Sequence, residues 1–206
     1  MHYVNDERLR HAAVFHDPFP FLIAEGLLVE GAIPALRHDF PAIGEPGLFP
    51  LSELSYGPAF AELIAELLGP EFEAVLEEAL GLSLAGRARA VTVRGWCRAR
   101  DGVIHNDSRS KLASALLYLN DVWHGEGGQL RLLRGPTDID DVIAEVPPVA
   151  GTFVAFRRTE NSWHGHRPYS GPRRYVMINW MVDGASAGRE LARHRLSARV
   201  KRWLPW

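Results

Sequence analysis

The chain has 206 residues with 47% apolar and 23% charged side chains, a globular composition that excludes disorder, collagen-like repeats and coiled coil. With 23 Lys and Arg against 25 Asp and Glu it is nearly neutral, so it lacks the basic footprint of a nucleic-acid binder. Cys97 stands alone, which rules out an intramolecular disulfide and a multi-cysteine zinc site, so any metal has to use His and carboxylate.

The length suits one domain over residues 1–206. No apolar run approaches the roughly 20 residues needed to cross a bilayer, and the N-terminus reads as neither signal nor anchor, so the expectation is a cytoplasmic protein without a membrane span. Residues 18–50 hold six prolines around short apolar stretches and read as one strand, one helix and connecting loops. Phe60, Leu63, Ile64, Leu67 and Leu68, then Phe72, Val75, Leu76, Ala79 and Leu80, recur at helical spacing, which predicts two amphipathic helices over 58–68 and 71–81. Pro58 and Pro70 suit their first turns, and Gly69 suits the end of the earlier one. Residues 1–88 are therefore expected to be mainly helical.

From residue 89 the chain changes to short runs rich in β-branched and aromatic residues, at 90–98, 112–119, 129–133, 151–157 and 174–182. A strand-rich half after a helical one predicts an α+β fold, a β-sandwich or barrel with helices on one face. The tail, 185–206, is expected to be a basic helix: residues 189–206 carry six of the basic residues (Arg189, Arg193, Arg195, Arg199, Lys201, Arg202) but one acid, Glu190. Ala192, Leu196, Val200 and Trp203 form its apolar stripe, which docks on its own barrel or, alternatively, makes a dimer contact or meets an anionic surface.

Three stretches can carry chemistry. In His105-Asn106-Asp107 an extended backbone projects the imidazole and the carboxylate to one face, so both can reach one ion; the bland alternative is a surface turn capped by Asp107. Asn161-Ser162-Trp163-His164-Gly165-His166 lies between two strands and can supply a third ligand. Two His and one carboxylate on one face suit non-haem Fe(II) with open positions, or Zn²⁺ with a bound water. Arg173 and Arg174 head the last strand; a surface cation is the common case there, whereas one pointing into an apolar barrel requires an anion such as a dicarboxylate. His124, in a Gly-rich hairpin, reads as exposed, and Arg94, Trp96, Arg98, Arg109 and Lys111, flanking the His-x-Asp segment, read as solubility or loop-packing residues.

From about Val91 to Val182 these motifs, in order, resemble the Fe(II)/2-oxoglutarate-dependent oxygenases, in particular the prolyl-hydroxylase-like branch with its bacterial relatives. Ile104-His105-Asn106-Asp107 resembles the His-x-Asp motif, Leu116 to Asn120 the following strand, and Gly127-Gly128-Gln129-Leu130-Arg131 the Gly-Gly turn and strand after it. Pro147 to Phe156 resembles the approach to the distal histidine, with one extra residue, and Trp163-His164 with Pro168 and Gly171-Pro172-Arg173-Arg174 resembles that histidine and the basic residue beyond it.

The resemblance implies a double-stranded β-helix, or jelly roll, over 89–184 that binds Fe(II), 2-oxoglutarate and O2. It implies His105, Asp107 and His164 as iron ligands, with His166 the competitor to His164. It implies Arg174 rather than Arg173 as the anchor of the distal carboxylate, chosen because Trp180 follows six positions later; positions 174, 176, 178 and 180 then share the pocket face. Tyr118 is implied as the hydroxyl partner of that carboxylate and Leu130 as an apolar lining residue. The implied activity couples oxidative decarboxylation of 2-oxoglutarate to hydroxylation of a peptidyl residue, amino acid or small metabolite. A 2-oxoglutarate-independent cupin-like dioxygenase, a hydrolase and a non-catalytic sensory module are the rival classes.

Overall fold

The computed structural model describes residues 2–203, with side chains to residue 196. Helices α1 (Asp6–Arg10), α2 (Ile33–His38), α3 (Pro58–Leu67) and α4 (Pro70–Leu80) precede the long strands, and α5 (Gly184–Trp203) follows them. Gly57 and Gly69 are the N-caps of α3 and α4 and a proline opens each, where a missing N–H costs nothing. Gly69 thus starts the second helix rather than ending the first. Gly81, in left-handed geometry, stops α4.

Among the described residues ten strands form two sheets of antiparallel pairs: β1 (Ala13–Phe15), β2 (Phe21–Ala24), β3 (Phe49–Pro50), β4 (Arg89–Cys97), β5 (Lys111–Tyr118), β6 (Leu130–Leu133), β7 (Val142–Val146), β8 (Phe153–Arg157), β9 (His164–Gly165) and β10 (Gly171–Met181). The larger sheet runs β1-β2-β8-β5-β10-β4-β3 and the smaller one β7-β6-β9. The fold is mixed helix and strand, as the sequence predicts, but β1, β3, β7, β9 and α1 are additions. They are short or half-exposed edge elements, whose few buried positions leave little periodicity to read.

Strand alternation sends the larger sheet's side chains into two separate cores. Leu22, Leu117, Phe153, Val176, Ile178 and Trp180 face Phe60, Leu63, Leu67, Phe72 and Leu76 of α3 and α4. Phe21, Leu116, Tyr118, Val154, Phe156 and Tyr175 face Leu130, Leu132 and Val146 of the smaller sheet. The space between the two sheets holds the site. Trp180, the anchor of the expected register, lies on the helix side, where its indole N–H donates to Glu73 Oε1 at 2.6 Å.

The C-terminal helix packs on β3, β4 and β10, so it docks on its own sheet and the dimer reading gains no support. Val200 and Trp203, and the cations Arg199, Lys201 and Arg202, lie outside the described side chains. Among the described residues no helix is long and apolar enough to cross a membrane.

Candidate active site

His105 and His164 are brought together by backbone pairing. The two residues face each other in an antiparallel bridge and exchange both hydrogen bonds, His105 N–H to His164 O at 2.9 Å and His164 N–H to His105 O at 3.0 Å. Their rings are 4.2 Å apart. Asp107 follows on the same face, and one ligand atom from each of His105, Asp107 and His164 falls within 4.8 Å of the others. Among the described residues no other His, Cys, Asp and Glu group has this geometry.

The tautomers suit a metal. Nδ1 of His105 lies 2.9 Å from Val103 O and Nδ1 of His164 lies 3.0 Å from Ser162 O; a carbonyl can only accept, so the proton sits on Nδ1 and each Nε2 keeps a lone pair. Burial pushes the His164 imidazole down to about 4, against the pull of Asp107, so it is neutral at neutral pH. Both Asp107 oxygens are engaged, Oδ1 by the Lys111 ammonium at 2.7 Å and Oδ2 by the Ser114 hydroxyl. Burial alone would raise this carboxyl, but Lys111 and Ser114 hold it well below the usual range. Each oxygen retains a second lone pair, so three neutral or anionic donors converge on one face, a set that fits Fe(II) or Zn²⁺.

The triad lines a cavity of about 430 Å³ whose apolar wall includes Leu116, Leu130, Phe156 and Met177. Arg173 reaches into it, and this corrects the expected register. Arg173 is 2% exposed, whereas Arg174 is exposed on the outside of the strand, where its backbone N–H donates to Asn120 Oδ1 at 2.7 Å. The inward residues of β10 are therefore Arg173, Tyr175 and Met177, and Val176, Ile178 and Trp180 pack against the helices. Nε of Arg173 donates to Gly128 O at 2.7 Å and Nη2 to the Tyr118 hydroxyl at 3.0 Å. Gly128 adopts φ +85°, and a Cβ there would strike the Trp123 ring at 2.6 Å, so glycine is required for that carbonyl to be presented. Burial pushes the Tyr118 phenol up to about 12 although Arg173 pulls it down; the neutral hydroxyl accepts from Arg173 and keeps its own proton to donate.

His166 lines the same cavity but stands apart from the triad. Its Nδ1 lies 2.8 Å from Arg167 O and its Nε2 3.8 Å from Cys97 Sγ, and burial, followed by the Arg173 charge, pushes it down to about 4. His124 is exposed. Several cavity residues were absent from the sequence reading as site residues: Lys111, Ser114, Arg94 and Tyr175, and Glu190, Arg193 and His194 from α5. Lys111 had one readable cue, its position four residues beyond Asp107.

Residues 98–182 match the family model described as the 2OG-Fe(II) oxygenase superfamily. This segment contains the triad, Tyr118, Leu130 and both arginines. No curated protein sequence matches significantly. Among solved structures, the chain is similar to a Pseudomonas putida prolyl-4-hydroxylase, with 21% identity and a TM-score of 0.53 over 78% of this chain and 91% of that one. It is similar to HygX from Streptomyces hygroscopicus, solved with nickel, 2-oxoglutarate and hygromycin B, with 16% identity and a TM-score of 0.51 over 78% and 82%. A Trichoplax adhaerens prolyl hydroxylase, in complex with a hypoxia inducible factor peptide fragment, matches with 13% identity and a TM-score of 0.52 over 82% and 86%. These likenesses establish a shared fold.

Proposed function

We propose that His105, Asp107 and His164 hold Fe(II), that Arg173 with Tyr118 binds the distal carboxylate of 2-oxoglutarate, and that the chain hydroxylates a C–H bond of a second substrate. On this reading residues 1–206 form one oxygenase domain and the two sheets are the halves of a double-stranded β-helix. One observation carries the proposal: Arg173 is buried in the cavity that holds the triad, and among the described residues no carboxylate pairs with it. A buried guanidinium without an anion is costly. A dicarboxylate resolves that cost by adding a charge-assisted pair to the contacts already made to Gly128 and Tyr118.

Iron bound by the triad supplies dioxygen activation coupled to decarboxylation of the 2-oxo acid, giving succinate, CO2 and a hydroxylated product. The protein's part is to position and to exclude. The carbonyls of Val103 and Ser162 fix the imidazole tautomers, and Lys111 and Ser114 fix the carboxylate, so the three donors are set before any ion arrives. Leu116, Leu130, Phe156 and Met177 keep water from the reacting centre. The substrate is a peptidyl side chain, an amino acid or a small metabolite; the neighbours include a protein solved with a peptide and one solved with hygromycin B, so the fold serves both sizes.

Anaerobic titration tests the reading. Fe(II) followed by 2-oxoglutarate is expected to give a visible metal-to-ligand charge-transfer band that needs both components. A band absent with both present, while iron is bound, would overturn the cosubstrate assignment and favour a hydrolase or cupin-like dioxygenase.

A further inference from the structure

The cavity contains a second arginine, 12% exposed, that the assignments above leave unused. Arg94 lies on β4 directly opposite Tyr175 of β10, and Arg173 is two residues from Tyr175 on the same face. Adjacent strands therefore send two guanidinium groups into one end of the cavity, and their carbons lie 5.9 Å (Arg94) and 5.0 Å (Arg173) from the Tyr175 ring centroid. Two like charges at one end of a cavity disfavour one another unless an anion offsets them.

The protein supplies one such anion. Nη1 of Arg94 donates to Asp101 Oδ2 at 2.7 Å, and Asp101 also accepts from the Arg98 backbone N–H at 3.1 Å and from Arg98 Nη2 at 3.2 Å. Asp101 is thus shared by two arginines, and it is a single carboxylate beside the two guanidinium groups that Arg94 and Arg173 bring to this end of the cavity. Nε of Arg94 is buried with no hydrogen-bond partner. Gly102 locks the turn that seats Asp101: it adopts φ +83°, and a Cβ there would lie 2.2 Å from His166 Nε2, so the turn closes directly on the ring. Arg94 is consequently held in place, with a donor unused.

We propose that Arg94 is a second cationic contact for the distal carboxylate of 2-oxoglutarate, a specificity-determining residue that with Arg173 selects a dianionic 2-oxo acid over monoanionic ones. The inference rests on the Arg173 anchor of the proposed function. A carboxylate between the two guanidinium groups accepts from both and relieves their repulsion. The competing reading is that Arg94 only pins the 98–102 turn through Asp101, and it makes different predictions.

The test is anaerobic calorimetry on Fe(II)-loaded protein with two probes, 2-oxoglutarate and 2-oxopentanoate, which has the same chain length without the distal carboxylate. In Arg94→Met the Kd for 2-oxoglutarate is expected to rise about ten- to hundredfold, the range for losing a hydrogen bond to a charged group, while the Kd for 2-oxopentanoate stays within about threefold. Arg94→Lys keeps the charge and is expected to recover part of the loss. Asp101→Asn removes the competing acid and keeps the guanidinium, so its Kd for 2-oxoglutarate is expected to stay within about threefold of the parent. An unchanged 2-oxoglutarate Kd in Arg94→Met, equal weakening of both probes, or a loss in Asp101→Asn that matches Arg94→Met would overturn the inference. Arg173→Met run in parallel separates the two claims. Weakening there with retention in Arg94→Met removes the second contact and leaves the anchor, and retention in both removes the anchor itself.

Discussion

Replacing Arg173 by Met should separate stability from cosubstrate binding. In the free protein Arg173 bears the desolvation cost of a buried ion, several kcal/mol. Two hydrogen bonds from a charged donor, to Gly128 O and Tyr118 Oη, return about 1.5–3 kcal/mol each, and contacts over the Tyr118 and Tyr175 rings, at 5.3 Å and 5.0 Å, return about 0.5–2 kcal/mol each. The opposing amounts nearly cancel, so Arg173→Met, which keeps most of the apolar volume, should change the stability of the free protein by no more than about 2 kcal/mol. The same change removes one partner of the cosubstrate ion pair, a loss of about 3–5 kcal/mol, or a factor of roughly 10² to 10³ or more in Kd. Thermal unfolding reads both at once. At a ligand concentration of about 100 Kd the parent gains about 2.7 kcal/mol, a rise of several degrees in Tm for a chain of this size, and Arg173→Met at the same concentration should gain almost nothing. Arg174→Met should behave as the parent. The reasoning fails if Arg174→Met is the variant that loses the ligand shift, or if free Arg173→Met unfolds outright.

Other changes probe the rest of the site. His164→Ala should lower the Fe(II) retained after desalting by at least about tenfold, because even an outer partner of a metal ligand is worth that much, whereas His166→Ala should retain iron; metal analysis of the two variants reads the difference. Trp180→Phe should cost about 1–3 kcal/mol in urea unfolding, since it strips the buried Glu73 carboxylate of its indole donor, and should leave 2-oxoglutarate affinity unchanged because Trp180 lies on the helix side. In the metal-free protein His164 and His166 both titrate at about 4, pushed down by burial, while the unfolded groups titrate near 6.5. The unfolded chain therefore binds more protons between those values, and stability falls as pH falls through that window, by about 2 kcal/mol per histidine at pH 5 relative to pH 7.5. Denaturant unfolding of the parent and of His166→Gln should show a shallower pH dependence in the variant.

The His105 and Asp107 pair was legible in the sequence because its geometry is local. The family resemblance is what selects His164 over His166, because the bridge that sets it opposite His105 joins distant stretches of the chain, whereas an extended His-x-Asp puts both side chains on one face within three residues. The same holds for α3 and α4, whose apolar periodicity and prolines are contained within each helix. Lys111 and Arg94 were hidden for the opposite reason. Long cations near a cleft usually face solvent, and these two are drawn inward by partners, Asp107 and Asp101, whose own placement depends on the turn between strands.

The arginine register shows where alternation stops being informative. Alternation correctly separates Arg173 from Arg174, but it assigns neither to a face, and β10 lies in the middle of its sheet with one face on the helices and the other on the cavity. A strand covered on both sides has no solvent face to break the tie, and a one-residue slip exchanges every side chain. Trp180 was a poor guide because a large aromatic residue suits the helix layer at least as well as a cofactor pocket, and here it fills the helix layer. The better discriminator lies in the polarity of the two faces. Arg173, Tyr175, Met177 and Asn179 form one, and Arg174, Val176, Ile178 and Trp180 form the other. A packed helix layer excludes uncompensated polar groups, whereas a site that must bind a charged cosubstrate requires them. The more polar face therefore has to be the one that looks into the cavity, and Asn179, hydrogen-bonded to Ser114 and through it to Asp107, continues that face to the carboxylate of the triad.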